Sequence, residues 1–313
     1  MGARWGEGDR RPERFPGGAA LVDGPAGWVL ADEDAPRALG RALLWARRFM
    51  LHDLHVLVAD ADAAGLLARR AEAFADPPTV WVVDGTDLRQ MSPAPLPVSP
   101  PLDPRAAALA DQLLAAGAEP VVEHGVLRGE VLGLEVARVV VDDEGAYVEV
   151  GVGKHDRHAQ RLVHADEPTA DALARAVATV ADHRRAGAPP HPLNRLSSER
   201  WLRARVVSEP GLVGAAHLAP VPSPVDRDDL RLPAPAPAAG TDVEGCPLLV
   251  VCSTGIDVDL VPVAADARLA DGRDPRLVLV VPERDDHLHL RPLADALREP
   301  AEVMTVSDDW RKP

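Results

Sequence analysis

Two proline-rich stretches limit how far any helix or sheet can run through this chain. They read SPAPLPVSPPLDP at 92–104 and VPSPVDRDDLRLPAPAPAAG at 221–240. Proline has no backbone N–H and its φ is fixed, so neither stretch can continue a helix interior or an inner strand. We predict that both are linkers, covering 92–104 and, with its flanks, 213–245.

The remaining sequence divides into three small modules, which predict an α/β, mixed α+β fold. Residues 27–91 alternate helix, strand, helix and strand, which indicates a βαβ unit with a parallel strand pair. Residues 105–212 read as helix, three strands and helix, followed by a basic helix. Residues 246–307 read as three strands, a helix and a last strand. Residues 1–26 are rich in Gly, Arg and Glu, and we expect them to be disordered or loosely ordered.

The second and third modules are similar enough to suggest a diverged internal duplication. VDLVPV at 258–263 falls where the second module has LEVARV at 134–139. If 256–263 is a strand, Asp257 and Asp259 lie on the same face of it. This face is either an ordinary solvent-exposed face, or its two carboxylates hold a cation through water.

Composition excludes some classes of function. The net charge of −15 argues against broad, nonspecific attraction to nucleic acid, and an aromatic content of 3% leaves little material for base stacking. Arg outnumbers Lys 32 to 2, which is typical of a GC-rich bacterial coding sequence. No run of about 18 apolar residues is present, so we expect no membrane span and a cytoplasmic protein.

Two carboxylates interrupt an apolar hairpin. The stretch GLEVARVVVDDEGAYVEVGVGK at 133–154 carries Glu135 and Glu149 in its two strands. A three-residue loop, DEG, would place Val139 opposite Glu149. In that register the two acids share a face but lie four residues apart, roughly 13 Å at about 3.3 Å per residue.

The same register places Gly153 opposite Glu135, so that this acid would neighbour the charged segment KHDRH at 154–158. Such a set of acids, a base and a cation can hold a divalent metal and stabilise charge on a phosphate. Glu135 and Asp156 would bind the metal, Mg²⁺ or Mn²⁺. The alternative is an ordinary solvated strand end. The candidate catalytic residues are Glu135, Glu149, Lys154, His155 and Asp156.

A helix, three strands and a helix, with an acid on the second strand and another on the third, resembles the core of the PD-(D/E)xK nuclease superfamily over about 104–185. The resemblance implies a metal-dependent nuclease. In that family the third strand carries an acid, one residue and then lysine. Here Glu149-Val150 is followed by Gly151, so Lys154 would have to substitute from further along. The chain as a whole also resembles a bacterial family to which no activity is assigned.

A basic segment at 183–205 reverses the acidic balance of the chain. Its helix SERWLRARVV places Arg200 and Arg203 at neighbouring positions on the helix surface. Arg195, Arg200 and Arg203 would grip phosphates through two-point contacts, with nucleic acid as the partner. Alternatively, the segment neutralises the acidic modules of the protein itself.

Two functions remain open from the sequence. The first is a nuclease-like module that binds phosphodiester backbone and depends on metal if it is catalytic. The alternative is a non-catalytic adaptor or chaperone-like protein with another protein as its partner. The nuclease requires its acids to converge beside Lys154, whereas the adaptor requires an exposed apolar patch of several hundred Å².

Overall fold

The fold is mixed α+β, and the described residues form three β-sheets. The structure, a computed structural model, describes residues 10–163, 167–185, 187–225, 230–232 and 234–311. The strands are β1 (Arg10–Phe15), β2 (Gly18–Asp23), β3 (Ala26–Ala31), β4 (Asp53–Val58), β5 (Thr79–Asp84), β6 (Asp87–Gln90), β7 (Glu119–Glu123), β8 (Val126–Val131), β9 (Leu134–Val141), β10 (Ala146–Val150), β11 (Ala215–Pro220), β12 (Ala236–Asp242), β13 (Pro247–Cys252), β14 (Arg276–Pro282) and β15 (Glu302–Val306).

The α-helices are α1 (Leu39–Arg48), α2 (Ala61–Ala71), α3 (Pro104–Ala107), α4 (Ala110–Ala115), α5 (Gly153–Val163), α6 (Thr169–Arg184), α7 (Ser198–Ser208), α8 (Leu260–Asp271) and α9 (Leu290–Ala294). Short 3₁₀ turns lie at Ala35–Arg37, Pro192–Arg195, Pro210–Val213 and Glu283–Asp285. Among the helices in the described ranges, none is both long and apolar enough to cross a membrane.

The described residues form two compact units. Unit 1 contains 10–97, 256–272 and 287–303, and unit 2 contains 98–255, 273–286 and 304–311. Residues of the predicted third module therefore fall in both units.

Unit 1 is built on a six-stranded sheet in the order β1-β2-β3-β4-β5-β6. The predicted parallel pair is confirmed, because β4 pairs with β5 in parallel, as β3 does with β4. The expectation of a disordered N-terminus is wrong for 10–26, because β1 and β2 extend the sheet as antiparallel strands. Residues 1–9 lie outside the described part of the chain.

The predicted strand at 256–263 is wrong, because its first half lies in no helix or strand and its second half, 260–263, begins helix α8. Asp257 and Asp259 are buried and so do not form a solvent-exposed strand face, and the cation shared through water stays a prediction. Asp257 pairs with Arg37 at 2.9 Å, and Asp259 accepts from the Gly40 N–H at 3.0 Å. Pro262 fits because it lies in the first helical turn, where its missing N–H has no helical partner to lose.

Helix α8 is held in unit 1 by buried ion pairs. Asp266 on α8 accepts from Arg69 at 2.7 and 3.0 Å and from Arg70 at 3.1 Å. The suggested internal duplication aligned VDLVPV with LEVARV. That alignment matches the start of helix α8 with strand β9, so it is wrong at this point.

Unit 2 contains a four-stranded antiparallel sheet in the order β10-β9-β8-β7. The predicted three strands are four, because the second predicted segment folds back on itself. Two-residue turns with positive φ at both positions join the strands, at His124-Gly125 (51° and 76°) and Leu132-Gly133 (47° and 75°). One face packs on α4 and α6 through an apolar core that includes Leu113, Leu134 and Leu173.

The second sheet of unit 2 has the order β11-β12-β13-β14-β15, with β13 and β14 parallel. The predicted linker at 213–245 is wrong for β11 and β12, which are regular strands of this sheet. Proline is tolerated at Pro237 because the pairing with β11 stops at Ala238, so no bond to β11 is lost there. In contrast, 92–103 contains neither helix nor strand, as predicted for the first linker.

Candidate functional site

A β-bulge in β9 sets the direction of the Glu135 side chain. Gly129 and Glu130 are neighbours on β8, yet their partners Ala137 and Glu135 lie two residues apart on β9. The extra residue between them shifts the alternation of side chains by one position. Glu135 therefore faces the same side of the sheet as Arg138.

Charged side chains cover this face of the sheet, and we call them the charged layer. Most are buried, although Arg138 is about one-third exposed. The charged layer consists of Glu123, Arg128, Glu130, Glu135, Arg138, Arg157, Arg200 and Arg203.

Glu135 accepts hydrogen bonds from three guanidinium groups. Arg128 donates at 2.8 Å, Arg138 at 3.2 Å and Arg157 at 2.5 Å. Burial raises the pKa of Glu135, but the charges of these three arginines outweigh it and hold the pKa below its usual value. Glu135 is thus an ionised carboxylate whose two oxygens are already engaged.

Arg200 and Arg203 occupy the other half of the charged layer. Arg200 donates to Glu130 at 2.6 Å and to Glu123, and Arg203 donates to Glu130 at 3.0 Å. Burial alone raises the pKa of Glu123, but the charges of Arg200 and Arg128 lower it to about 2. The structure therefore places these two predicted phosphate ligands inside the protein, on its own carboxylates.

The predicted catalytic residues do not all come together in one site, although Arg157 lies between two of them, with Nη1 2.5 Å from Glu135 and Nε 3.9 Å from Glu149. The hairpin register differs from the predicted one, because Glu149 lies opposite Arg138 and the loop is one residue longer. The segment at 154–158 is also not a strand end but the first part of α5. Lys154, His155 and Asp156 are exposed there, whereas Glu135 is buried.

The proposed metal ligands do not fit a shared cation. Asp156, in the first turn of α5, accepts from the Val152 N–H at 2.7 Å, just before the helix begins. Glu135 is surrounded by guanidinium groups that repel a metal ion. Within the described ranges, no group of three or more His, Cys, Asp or Glu could hold one. Coordination of Mg²⁺ or Mn²⁺ by Glu135 and Asp156 stays a prediction.

A separate cavity of about 690 Å³ lies in unit 2. Part of its wall comes from residues that directly follow the parallel strands β13 and β14, including Thr254 and Arg284. The carboxyl ends of parallel strands are where open α/β sheets bind ligands. Among the described residues, its charged lining consists of Arg185, Arg195, Arg231, Arg284, Arg311, Glu199 and Asp285.

Two arginines on the wall are held in place by neighbouring groups. The Arg311 guanidinium lies 5.3 Å from the ring centre of Trp201 and 4.8 Å from that of Trp310. The Arg284 backbone N–H donates to Asp308 at 2.9 Å, which fixes the base of its side chain. The rings therefore hold the Arg311 guanidinium, whereas at Arg284 only the backbone is fixed.

The charges on this wall are only partly offset. Burial lowers the pKa of the Arg311 guanidinium, and the like charge of Arg284 lowers it further, against the opposing charges of Asp285 and Glu199. Asp285 also accepts from the Gly255 N–H at 2.7 Å. An anion between Arg284 and Arg311 would relieve their repulsion.

The N-terminus of α7 also opens into the cavity. Ser197 precedes the helix in the left-handed conformation, with φ 47° and ψ 46°, and its own side chain does not cap the first turn. A left-handed residue followed by helical ones turns successive N–H groups toward one point, which favours an anion. Ser198 and Thr254 join the two walls through their hydroxyl groups, which are 2.5 Å apart.

The connection from α6 to α7 supplies another part of the lining. The rings of His183 and His191 stack with their centres 3.7 Å apart and their planes 5° from parallel. Oδ1 of Asn194 is buried and has no hydrogen-bond donor among the described residues. Arg184 holds the connection in place by donating to the backbone carbonyls of Leu193 and Leu196.

Of the predicted phosphate ligands, only Arg195 lines the cavity. Sequence reasoning missed Thr254, Arg284 and Arg311. The sequence does point to Thr254 and Arg284, because each follows an apolar segment that is predicted to be a strand. It does not show that these two strands pair in parallel, which is what brings the two residues to the same edge of the sheet.

Comparison of the chain with protein-family models, with curated proteins and with solved structures finds no match.

Proposed function

We propose that unit 2 binds a small phosphorylated ligand in the cavity at the carboxyl ends of β13 and β14. The observation that carries the proposal is the lining, in which five arginines and two acids are described around about 690 Å³. Arginine forks match the geometry of phosphate oxygens and remain charged at any physiological pH.

The size of the cavity favours a small molecule over a polymer. Ligand pockets commonly measure about 300–1,000 Å³, which is enough to enclose most of a metabolite. A polynucleotide would instead need an extended basic surface, and the net charge of −15 opposes one. Recognition of the phosphodiester backbone by this chain stays a prediction of the sequence.

The cavity supports binding more directly than catalysis. Burial raises the pKa of the Cys252 thiol to about 12, so this group is a poor nucleophile. The metal-dependent hydrolysis predicted from the hairpin depends on Glu135, which the charged layer engages. We therefore propose a binding function, with nuclease chemistry and the adaptor alternative left as predictions of the sequence.

Calorimetric titration of the full chain with inorganic phosphate and pyrophosphate tests the proposal. We expect saturable binding that weakens at least about tenfold in Arg284→Gln and in Arg195→Gln, because each removes a charged hydrogen-bond donor. Arg205→Gln is the matched control, since Arg205 pairs with Glu209 at 2.9 Å on α7 and does not line the cavity. Absence of binding, or equal weakening in Arg205→Gln, would contradict the proposal.

A further inference from the structure

Two histidines line the cavity as a stacked pair. His183 lies near the end of α6 and His191 precedes the 3₁₀ turn at Pro192–Arg195, and their ring centres are 3.7 Å apart. Both side chains are half-buried. Histidine ordinarily changes its charge between pH 5 and pH 8, whereas arginine stays charged throughout that range. The pair therefore gives the cavity a cation that depends on pH.

The stacking limits how many protons the pair takes up. Two imidazolium rings with centres at 3.7 Å would hold like charges in contact, which opposes the second protonation. One imidazolium beside one neutral ring is favourable, because an aromatic face attracts a cation. The two histidines therefore titrate as a coupled pair that accepts one proton before the other.

A hydrogen bond decides which ring takes that proton. Nδ1 of His191 accepts from the Leu193 N–H at 3.3 Å, so it carries a lone pair and no hydrogen. Protonation of this nitrogen would break the bond and set two N–H groups against each other. Within the described part of the chain, no donor engages a ring nitrogen of His183. The proton of the pair therefore goes to His183.

The charged groups around His183 come from several elements. On α6 itself, Asp182 and Arg184 are its neighbours, and Arg184 is directed at backbone carbonyls. Those described residues that share the cavity with it are Arg185, Arg195, Arg231, Arg284, Arg311, Glu199 and Asp285. An anion bound among them adds negative charge beside His183, which favours its protonated form. By linkage, protonation of His183 strengthens anion binding by the same factor.

We infer that anion binding in this cavity is coupled to the uptake of one proton by His183, so that the protein holds a phosphorylated ligand more tightly in mildly acidic solution. This inference rests on the proposed function. The proton comes from the solvent and returns to it when the ligand leaves. Protonated His183 adds a charged donor to those of the arginines, and His191 stays neutral and stacks on it.

The experiment is a calorimetric titration of the full chain with inorganic phosphate at pH 8 and at pH 6, on the wild type and on His183→Asn. Phosphate itself gains a proton between these pH values, but equally for both proteins, so this effect cancels in the ratio of their affinities. We expect similar affinities at pH 8. At pH 6 the wild type should bind about tenfold more tightly, because only it gains a charged donor.

Three further variants sharpen the assignment. His191→Asn should keep the stronger binding at pH 6, because His183 still takes the proton. His183→Lys carries its charge at both pH values and should bind tightly at both. His217→Asn is the matched control, since His217 is exposed on β11 and does not line the cavity, and it should behave as the wild type does. Thermal unfolding of each variant establishes that it is folded.

The outcomes separate the two claims. If phosphate binds but the ratio between wild type and His183→Asn is the same at both pH values, the coupling is overturned and phosphate binding stands. Equal dependence on pH in the wild type and in His183→Lys would overturn it too. Loss of the effect in His191→Asn but not in His183→Asn would place the proton on the other ring. If the wild type binds no phosphate at either pH, the proposed function fails, and the coupling fails with it.

Discussion

The charged layer and the cavity of unit 2 are both rich in arginine, but they use it differently. In the charged layer, each arginine lies within 4 Å of a glutamate oxygen, and most of these side chains are buried. In the cavity, Arg284 comes no nearer to Asp285 than 3.7 Å, and the buried Nε of Arg311 has no hydrogen-bond partner among the described residues.

The difference shows that arginines of one segment can have different roles. Arg195, Arg200 and Arg203 lie within nine positions of one another, yet only Arg195 lines the cavity. Whether an arginine recognises a ligand depends on whether a carboxylate of the protein has already engaged it. The comparison therefore predicts that removing charge destabilises the charged layer strongly and the cavity region hardly at all.

The largest effect is expected in the charged layer. Glu130→Gln places an NH₂ group against the buried guanidinium groups of Arg200 and Arg203 and removes the charge that balances them. We expect a loss of about 3–5 kcal/mol in the free energy of unfolding, measured by urea denaturation. Glu209→Gln, at the exposed partner of Arg205, is the control and should change stability by less than about 0.5 kcal/mol. Similar values for both variants would mean that the charged layer does not stabilise unit 2.

A slightly smaller effect is expected on acidification. The folded-state pKa of Glu123 is about 2, below its usual value of 4.5. A lowered pKa contributes stability above pH 4.5, and this contribution disappears as the pH falls toward 2. A difference of this size corresponds to about 3 kcal/mol. Thermal unfolding between pH 6 and pH 2 should show a steeper loss for the wild type than for Glu123→Gln, and parallel curves would refute the assignment.

Removing charge from the cavity should barely affect folding. Arg284 is half-exposed and repels Arg311, so we expect Arg284→Gln to shift the free energy of unfolding by less than about 0.5 kcal/mol. The same urea titration measures it. If Arg284→Gln destabilises the protein as much as Glu130→Gln does, Arg284 stabilises the fold, and the two regions do not differ in the way described.

No effect is expected from divalent cations at the hairpin. Calorimetry with Mg²⁺ and Mn²⁺ should show no saturable heat from a site formed by Glu135 and Asp156, because guanidinium groups already engage Glu135. Saturable binding in the wild type that disappears in both Glu135→Gln and Asp156→Asn would restore the metal-dependent nuclease as the leading function.

Much of the secondary structure follows from local sequence signals. Asp60 caps α2 by accepting from the Ala63 N–H at 2.6 Å, and Asp103 caps α3 by accepting from the Arg105 N–H at 2.8 Å. Such caps, the apolar spacing of α6 and the apolar strands β4 and β5 are readable because their partners lie within a few residues. The turn between β8 and β9 was missed because Leu132 takes a positive φ, which glycine and asparagine adopt more readily.

The sequence by itself determined the mixed α+β class, most of the helices and the presence of an arginine-rich segment between α6 and α7. Only the tertiary structure decided which of its arginines can meet a ligand. Arg200 pairs with Glu123 across 77 positions, and Arg70 pairs with Asp259 across 189. Pairing over such separations depends on how the helices and strands are arranged in the fold, and short-range patterns carry no information about that arrangement. The cavity is likewise decided by the fold, since it forms only where β13 and β14 align in parallel beside the start of α7.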